Sequence, residues 1–376
     1  MPALCVPFGL VIAFCIAFCA PCSLYAGGAV KARGARRLGR LLPDDPSEVG
    51  GYRLVGRVGS GGMGTVYAGT AAGVRGYLAV KVVHPRHAAD PRFREQFAHE
   101  ARLLARVNSP CVARFISADV EADHPWLATE YVPGPTVRHH VERYGPLRPG
   151  MVRALAVGVA DALRAIHAAG IVHRDLKPSN VVMAPSGPKV LDFGIARPST
   201  AADATRWVRI RRMRRALRAL RLPSPATLPG PEAGSGVPRD RVGTPGWISP
   251  EQYRRRQVTD RSDVFLWGAL VAFAAAAHDP FGHGHPRELA RRVLHEDPDL
   301  DRLPPGLDEL VPRAMAKDPG DRPDAAELLR LLLASEGAAN GRSDVTPTVR
   351  RVLREQWTDV AVRFPQPPRE RWWPLR

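Results

Sequence analysis

His173-Arg174-Asp175-Leu176-Lys177-Pro178-Ser179-Asn180, with Asp192-Phe193-Gly194 beginning twelve residues beyond the asparagine, is the stretch that decides how this chain folds. Just upstream, residues 148–170 read as an apolar, alanine-rich helix that stops at Gly170. Glycine suits the left-handed turn that ends a helix. The quoted run therefore leaves a helix end as a polar loop. Taken singly, an Asp or Asn in such a loop is a turn or cap residue. The run derives its meaning from what stands around it.

Working outward toward the N-terminus, Tyr52 to Val58 alternates apolar and polar residues, as a half-buried strand does. Gly59-Ser60-Gly61-Gly62-Met63-Gly64 follows, then Thr65-Val66-Tyr67, which continues as a strand. The glycines let backbone N–H groups approach anionic oxygens with no Cβ in the way. A dinucleotide fingerprint would run from strand into helix with an acid about 20 residues on, and this one runs from strand into strand. Leu78 to Val83 is an apolar strand interrupted by Lys81. An unpaired buried ammonium is costly, so Lys81 is either a snorkelling edge residue or a phosphate-binding lysine held by a carboxylate. The helical segment Arg92–Val107 offers Glu95 and Glu100; Glu100 lies where the helix turns apolar and is the better partner. Trp126 to Val132 is a further apolar strand, containing Thr129 and Glu130 and running into Pro133-Gly134, a suitable hinge between two lobes.

With these pieces in order, the sequence resembles the protein kinase superfamily, and within it the bacterial serine/threonine kinases of eukaryotic type. The Gly-Gly-Met-Gly loop, the His-Arg-Asp-Leu-Lys-Pro-Ser-Asn run and Asp-Phe-Gly-Ile-Ala-Arg carry the resemblance, over residues 50–335. It implies an α+β, bilobal fold: a small β-rich lobe with one main helix (about 50–132) and a larger helical lobe (about 133–335), with ATP between them. It also implies roles, matched to the known template of phosphoryl transfer. Lys81 would hold phosphates while Glu100 fixes it. Asp175 would orient the attacking hydroxyl and accept its proton, and Lys177 would neutralise the moving phosphoryl group. Asn180 and Asp192 would ligate Mg²⁺ or Mn²⁺. Gly59, Ser60, Gly61, Gly62, Met63, Gly64, Val66, Ala79, Lys81, Thr129, Glu130, Val132 and Val182 would contact ATP. Thr244, in Gly243-Thr244-Pro245, would touch Asp175 and Lys177, a Ser/Thr signature. Glu251 would pair with Arg322, and Asp263 would anchor the catalytic loop. Arg174 would await a phosphate on the activation segment, with Thr200, Thr205, Ser224, Thr227 and Ser235 as acceptors and Ser235 preferred.

The remaining features lie outside this body. The net charge of +17, from 54 Lys and Arg against 37 Asp and Glu, raises the question of nucleic acid. Residues 31–40 carry +5, 197–242 carry +8 and 336–376 carry +3, which leaves +1 for the body at 41–196 and 243–335. The surplus therefore sits in appendages and an insert, which argues against a compact body carrying a +17 face. Leu4 to Tyr25 is uncharged, but Pro7 and Pro21 leave an uninterrupted run only from Phe8 to Ala20. Residues 1–40 are a membrane anchor followed by a basic cluster that would keep the kinase domain cytoplasmic, or a wrongly assigned start. Four of five cysteines lie in that segment and only Cys111 in the body, which fits a reducing compartment. Asp192 to Glu251 covers 60 residues, and the resemblance implies an activation segment of roughly half that length, the excess falling in the insert 197–242. Within 206–222, Trp207, Ile210, Met213, Leu217 and Leu220 form a helical stripe among eight arginines. Docking on its own domain, an anionic membrane surface or an acidic partner each suit it; a specific nucleic-acid contact does not, for want of interleaved aromatics. The basic tail 336–376 holds a short helix at Val349–Trp357 and the pair Trp372-Trp373.

Overall fold

The computed structural model describes residues 38–74, 76–191, 244–334, 345–360 and 362, all within one unit spanning 32–376. Residues 4–25, Asp192-Phe193-Gly194, the insert 197–242 with its stripe and all five acceptor candidates, and Trp372-Trp373 lie outside the described residues.

The first lobe is a six-stranded antiparallel sheet. Its strands are β1 (Glu48–Val49), β2 (Tyr52–Ser60), β3 (Gly64–Thr70), β4 (Leu78–Val83), β5 (Phe115–Asp119) and β6 (Trp126–Glu130), in the order β1-β2-β3-β4-β6-β5. Alternation along β6 divides its side chains between two faces. Trp126 and Ala128 join Leu54, Tyr67 and Val80 on the outer face, where Tyr52 meets Trp126 edge-on at 5.6 Å. Leu127 faces the main core. Helix α1 (Pro85–Ala88) leads into α2 (Pro91–Leu104). Asp90 starts α2 by accepting from the Arg92 N–H at 3.1 Å, with Pro91 in the first turn. Phe93, Phe97, Ala101 and Leu104 bury one stripe of it.

The second lobe is built on α4 (Pro149–Ala168) and α6 (Asp260–Ala276), which pack on each other. α6 is apolar on every side and accordingly central; its Trp267 Nε1 donates to the Ala156 carbonyl at 2.9 Å. Around this pair stand α3 (Val137–Tyr144), α5 (Pro250–Tyr253), α7 (Pro286–His295), α8 (Leu310–Ala314) and α9 (Ala325–Leu333), with the hairpin β7 (Val181–Ala184) and β8 (Gly187–Val190). The lobes meet at Gly134, whose φ is +147° and where a Cβ would stand 2.4 Å from the Met183 carbonyl oxygen, so only glycine fits that crossing.

Packing extends past both ends of the 50–335 span. Leu38 is buried, Gly39 bridges Arg57, and Asp45 accepts from Arg57 Nε and Nη2 (2.6 Å each), Tyr67 Oη (2.7 Å) and the Leu42 N–H (2.7 Å). The Arg57 guanidinium holds the Asp45 carboxyl well below the usual carboxylate range. At the other end, the tail helix α10 runs from Thr346 to Gln356, earlier than the periodicity predicts because Pro347 sits in its first turn. It buries Val349, Val352 and Leu353 against α4 and the hairpin, and the following Trp357 donates from Nε1 to the Ala184 carbonyl at 2.7 Å. Among the described residues no helix is long and apolar enough to cross a membrane.

Candidate active site

The loop after α4 is held from below by one buried carboxylate. Asp263, in the first turn of α6, is fully buried. Its Oδ2 accepts from the His173 N–H at 2.7 Å and from His167 Nε2 at 2.8 Å; its Oδ1 accepts from the Arg174 N–H at 2.8 Å. Arg174 has a φ of 63°, the left-handed region that costs an ordinary residue about 1–2 kcal/mol. The bond from Asp263 to its N–H holds it there. His173 Nε2 donates to the Leu191 carbonyl at 3.0 Å while Nδ1 accepts from the Asp175 N–H at 3.3 Å, which fixes a neutral ring with its proton on Nε2.

Above this anchor the polar groups converge. Lys177 Nζ lies 3.1 Å from Asp175 Oδ2 and donates to Thr244 Oγ1 at 3.1 Å. Asn180 Nδ2 donates to the Asp175 carbonyl at 2.8 Å and to its Oδ2 at 3.1 Å. Both partners are acceptors, so the amide nitrogen must face Asp175 and the amide oxygen is left for another ligand. Glu251 and Arg322 form a buried bidentate pair at 3.0 and 2.9 Å. Arg322 also donates to the carbonyls of Ala316, Arg261 and Lys317, so its fork is fully used. Burial pushes the Glu251 carboxyl up, but the Arg322 hydrogen bonds and charge outweigh it and leave the group below its ordinary value.

A cleft of about 570 Å³ lies between the lobes, and every expected nucleotide contact lines it: Gly59, Ser60, Gly61, Gly62, Met63, Gly64, Val66, Ala79, Lys81, Thr129, Glu130, Val132 and Val182. Asp175, Lys177 and Asn180 line it as well. Lys81 sits mid-strand on β4, opposite Val66 on one side and Leu127 on the other. Glu100 lies on α2 outside the lining, and Gln96 Nε2 donates to its Oε1 at 3.0 Å. The glycines divide into two kinds. A Cβ on Gly64 would fall 2.3 Å from the Val82 carbonyl oxygen, so the sheet itself demands glycine. A Cβ on Gly59, Gly61 or Gly62 would meet nothing within 4 Å, and none of the three has a positive φ. Nothing among the described residues requires glycine there. The free space fits a group lying against bare backbone, as a phosphate chain does. The loop tip is tethered from outside: the Gly61 carbonyl accepts from His84 Nε2, and the Gly62 carbonyl from His87 Nε2 (3.0 Å each) and from Arg86.

Sequence reading missed Leu127 and Leu191 on the cleft walls. The alternation of β6 points to Leu127, which shares a face with Thr129. It also missed Lys189, whose Nζ reaches Glu130 Oε2 at 3.1 Å; a lysine in the run Pro188-Lys189-Val190 is the same buried-ammonium signal that marked Lys81.

The protein kinase domain family matches residues 52–332. The chain is 40% identical over 292 residues to the probable serine/threonine-protein kinase PkwA of Thermomonospora curvata, covering 78% of this chain and 35% of that one. It is 39% identical over 291 residues to the serine/threonine-protein kinase AfsK of Streptomyces coelicolor, covering 77% and 32%. It thus spans about a third of the length of these curated relatives. The crystal structure of the PknI kinase domain of Mycobacterium tuberculosis superposes with a TM-score of 0.53 at 26% identity, covering 76% of this chain and 96% of that one. On a match spanning most of its length, and with this cleft between its lobes, the chain belongs to the protein kinase family, among the bacterial serine/threonine kinases of eukaryotic type.

Proposed function

We propose that the chain transfers the γ-phosphoryl group of ATP to Ser and Thr hydroxyls of proteins, itself included. The observation that carries this reading is the Lys177 ammonium shared between the Asp175 carboxylate and the Thr244 hydroxyl, beside an Asn180 whose amide nitrogen donates to Asp175. Bound Mg-ATP (or Mn-ATP) would supply the phosphoryl group and the cation that offsets its charge. Lys81 would hold the α- and β-phosphates, steadied by Glu100, and the bare backbone of Gly59 to Gly62 would lie along them. Asn180 and Asp192 would bind the metal. Asp175 orients the incoming hydroxyl and takes its proton, and Lys177 balances charge on the group in transit. Thr244 sets the acceptor chain against Asp175, which favours a protein substrate.

Purified protein given Mg-[γ-³²P]ATP should label itself or a generic basic protein substrate on Ser and Thr. Asp175→Asn and Lys81→Met should each abolish labelling. Nucleotide binding without any transfer by the wild type would instead make the chain a pseudokinase scaffold.

Control is proposed to act through Arg174 and a phosphate on the activation segment, with Ser235 preferred. Active enzyme carrying no phosphate on Thr200, Thr205, Ser224, Thr227 or Ser235 would reject this. The stripe at 206–222 fits an anionic lipid surface or an acidic protein, and loss of activation in protein lacking 203–236 would support a regulatory part for it.

A further inference from the structure

Lys189 has no part in the roles given above, yet its ammonium occupies a three-way junction. It lies on β8 and is 9% exposed, between the fully buried Val190 and the buried Pro188. Burying a lysine head is unfavourable unless it is paired and hydrogen-bonded. Its Nζ donates to Glu130 Oε2 at 3.1 Å and lies 3.4 Å from the Val112 carbonyl oxygen. Glu130 is the last residue of β6, where the first lobe passes into the hinge, and it lines the cleft. Its Oε2 also accepts from the Arg114 N–H at 3.2 Å, and its own N–H donates to the Arg114 carbonyl at 2.8 Å. On β8, Lys189 stands directly opposite Val182, which lines the cleft from the second lobe, and two residues before Leu191, which lines it too.

One ammonium therefore joins the hinge strand, the entry to β5 and the hairpin beneath the cleft. Glu130, Tyr131 and Val132 line the cleft on the hinge side and Val182 lines it from the second lobe, and this junction ties the two together. We propose that Lys189 is a positioning residue for the nucleotide, tying the hinge to the floor of the cleft through Glu130 and so setting the slot that receives the base. This rests on the kinase reading and adds to it a residue that touches neither phosphate nor metal. Because the slot holds the base equally in the ground and transition states, loss of the tie should weaken binding without slowing the chemical step.

Lys189→Met keeps the apolar stem and removes the charge. It should raise KM for ATP, and Kd for a fluorescent ATP analogue, about tenfold, with kcat within about twofold. Lys189→Arg should restore most of the affinity, and Glu130→Gln should reproduce the rise in KM, which keeps the test open if Lys189→Met fails to fold. Unchanged Kd and KM in Lys189→Met, with only a lower melting temperature, would reduce Lys189 to a structural ion pair and overturn the proposal while leaving the kinase reading intact. A wild-type protein that neither binds the analogue nor transfers phosphate would overturn the kinase reading itself, and this proposal with it.

Discussion

The two walls of the cleft are built on opposite principles. The lower wall is locked from inside the protein: Asp263, fully buried, takes two backbone N–H groups and a histidine, and every atom above it inherits that position. The upper wall is left loose. A side chain on Gly59, Gly61 or Gly62 would meet no described residue, and the loop tip is tied through its Gly61, Gly62 and Met63 carbonyls to His84, Arg86 and His87 around α1. Proton transfer and metal binding need atoms fixed to within tenths of an ångström. A phosphate chain needs backbone that it can approach and close upon. Rigidity is concentrated where bonds change, and room is kept where a ligand must enter.

The comparison can be broken most severely at its locked side. Asp263→Ala would strand the His173 and Arg174 N–H groups and the His167 donor in the core. It should cost about 3–5 kcal/mol in denaturant unfolding and reduce turnover at least about a hundredfold. Next in size, Arg322→Met leaves Glu251 buried without its partner and should cost about 3 kcal/mol. The pH dependence of that pair has a definite sign. The Glu251 carboxyl is held below its ordinary value near 4.5 in the folded chain, so the unfolded chain takes up that proton first as pH falls. Its stabilisation is whole above about pH 4.5 and drains away below it. Glu251→Gln should accordingly flatten the acid limb of a stability–pH curve.

The loose side answers in a different currency. Gly62→Ala should leave the melting temperature within a degree or two, because the added methyl meets no atom of the described residues, yet weaken ATP about tenfold by intruding where a phosphate would lie. If stability falls and ATP affinity does not, the contrast between the walls is wrong. The smallest effect belongs away from the cleft: Trp357→Phe removes one hydrogen bond to Ala184 and should cost about 1 kcal/mol in thermal unfolding, with KM for ATP unchanged.

Most of this was readable from residue order alone, for physical reasons that can be named. Lys81 betrayed itself as a charge in an apolar strand. The cleft-lining glycines did so by clustering between strands, and Gly170 by ending a helix. Glu251 and Arg322 lie 71 positions apart yet meet in a bidentate pair, and only the family resemblance linked them in advance. Lys189 escaped because its strand is short: Gly187–Val190 is buried throughout, but four residues opening on Gly-Pro do not read as an apolar strand, so the buried-ammonium signal went unused. Asp45 escaped because its partners, Arg57 and Tyr67, lie on two different strands and are brought together only by the register of the sheet. The tail helix was visible as a period, but that its stripe covers α4 is a property of the tertiary fold.

The docked tail has a consequence for anyone who handles this protein. The match to the protein kinase domain family ends at residue 332, but the part that must be present for the surface to be wettable runs to Trp357. A fragment trimmed to the recognisable borders would bare the seat of Val349, Val352, Leu353 and Trp357 on the second lobe, and would be expected to clump in solution while its cleft stayed intact. Solubility and catalysis draw the boundary of this domain in different places.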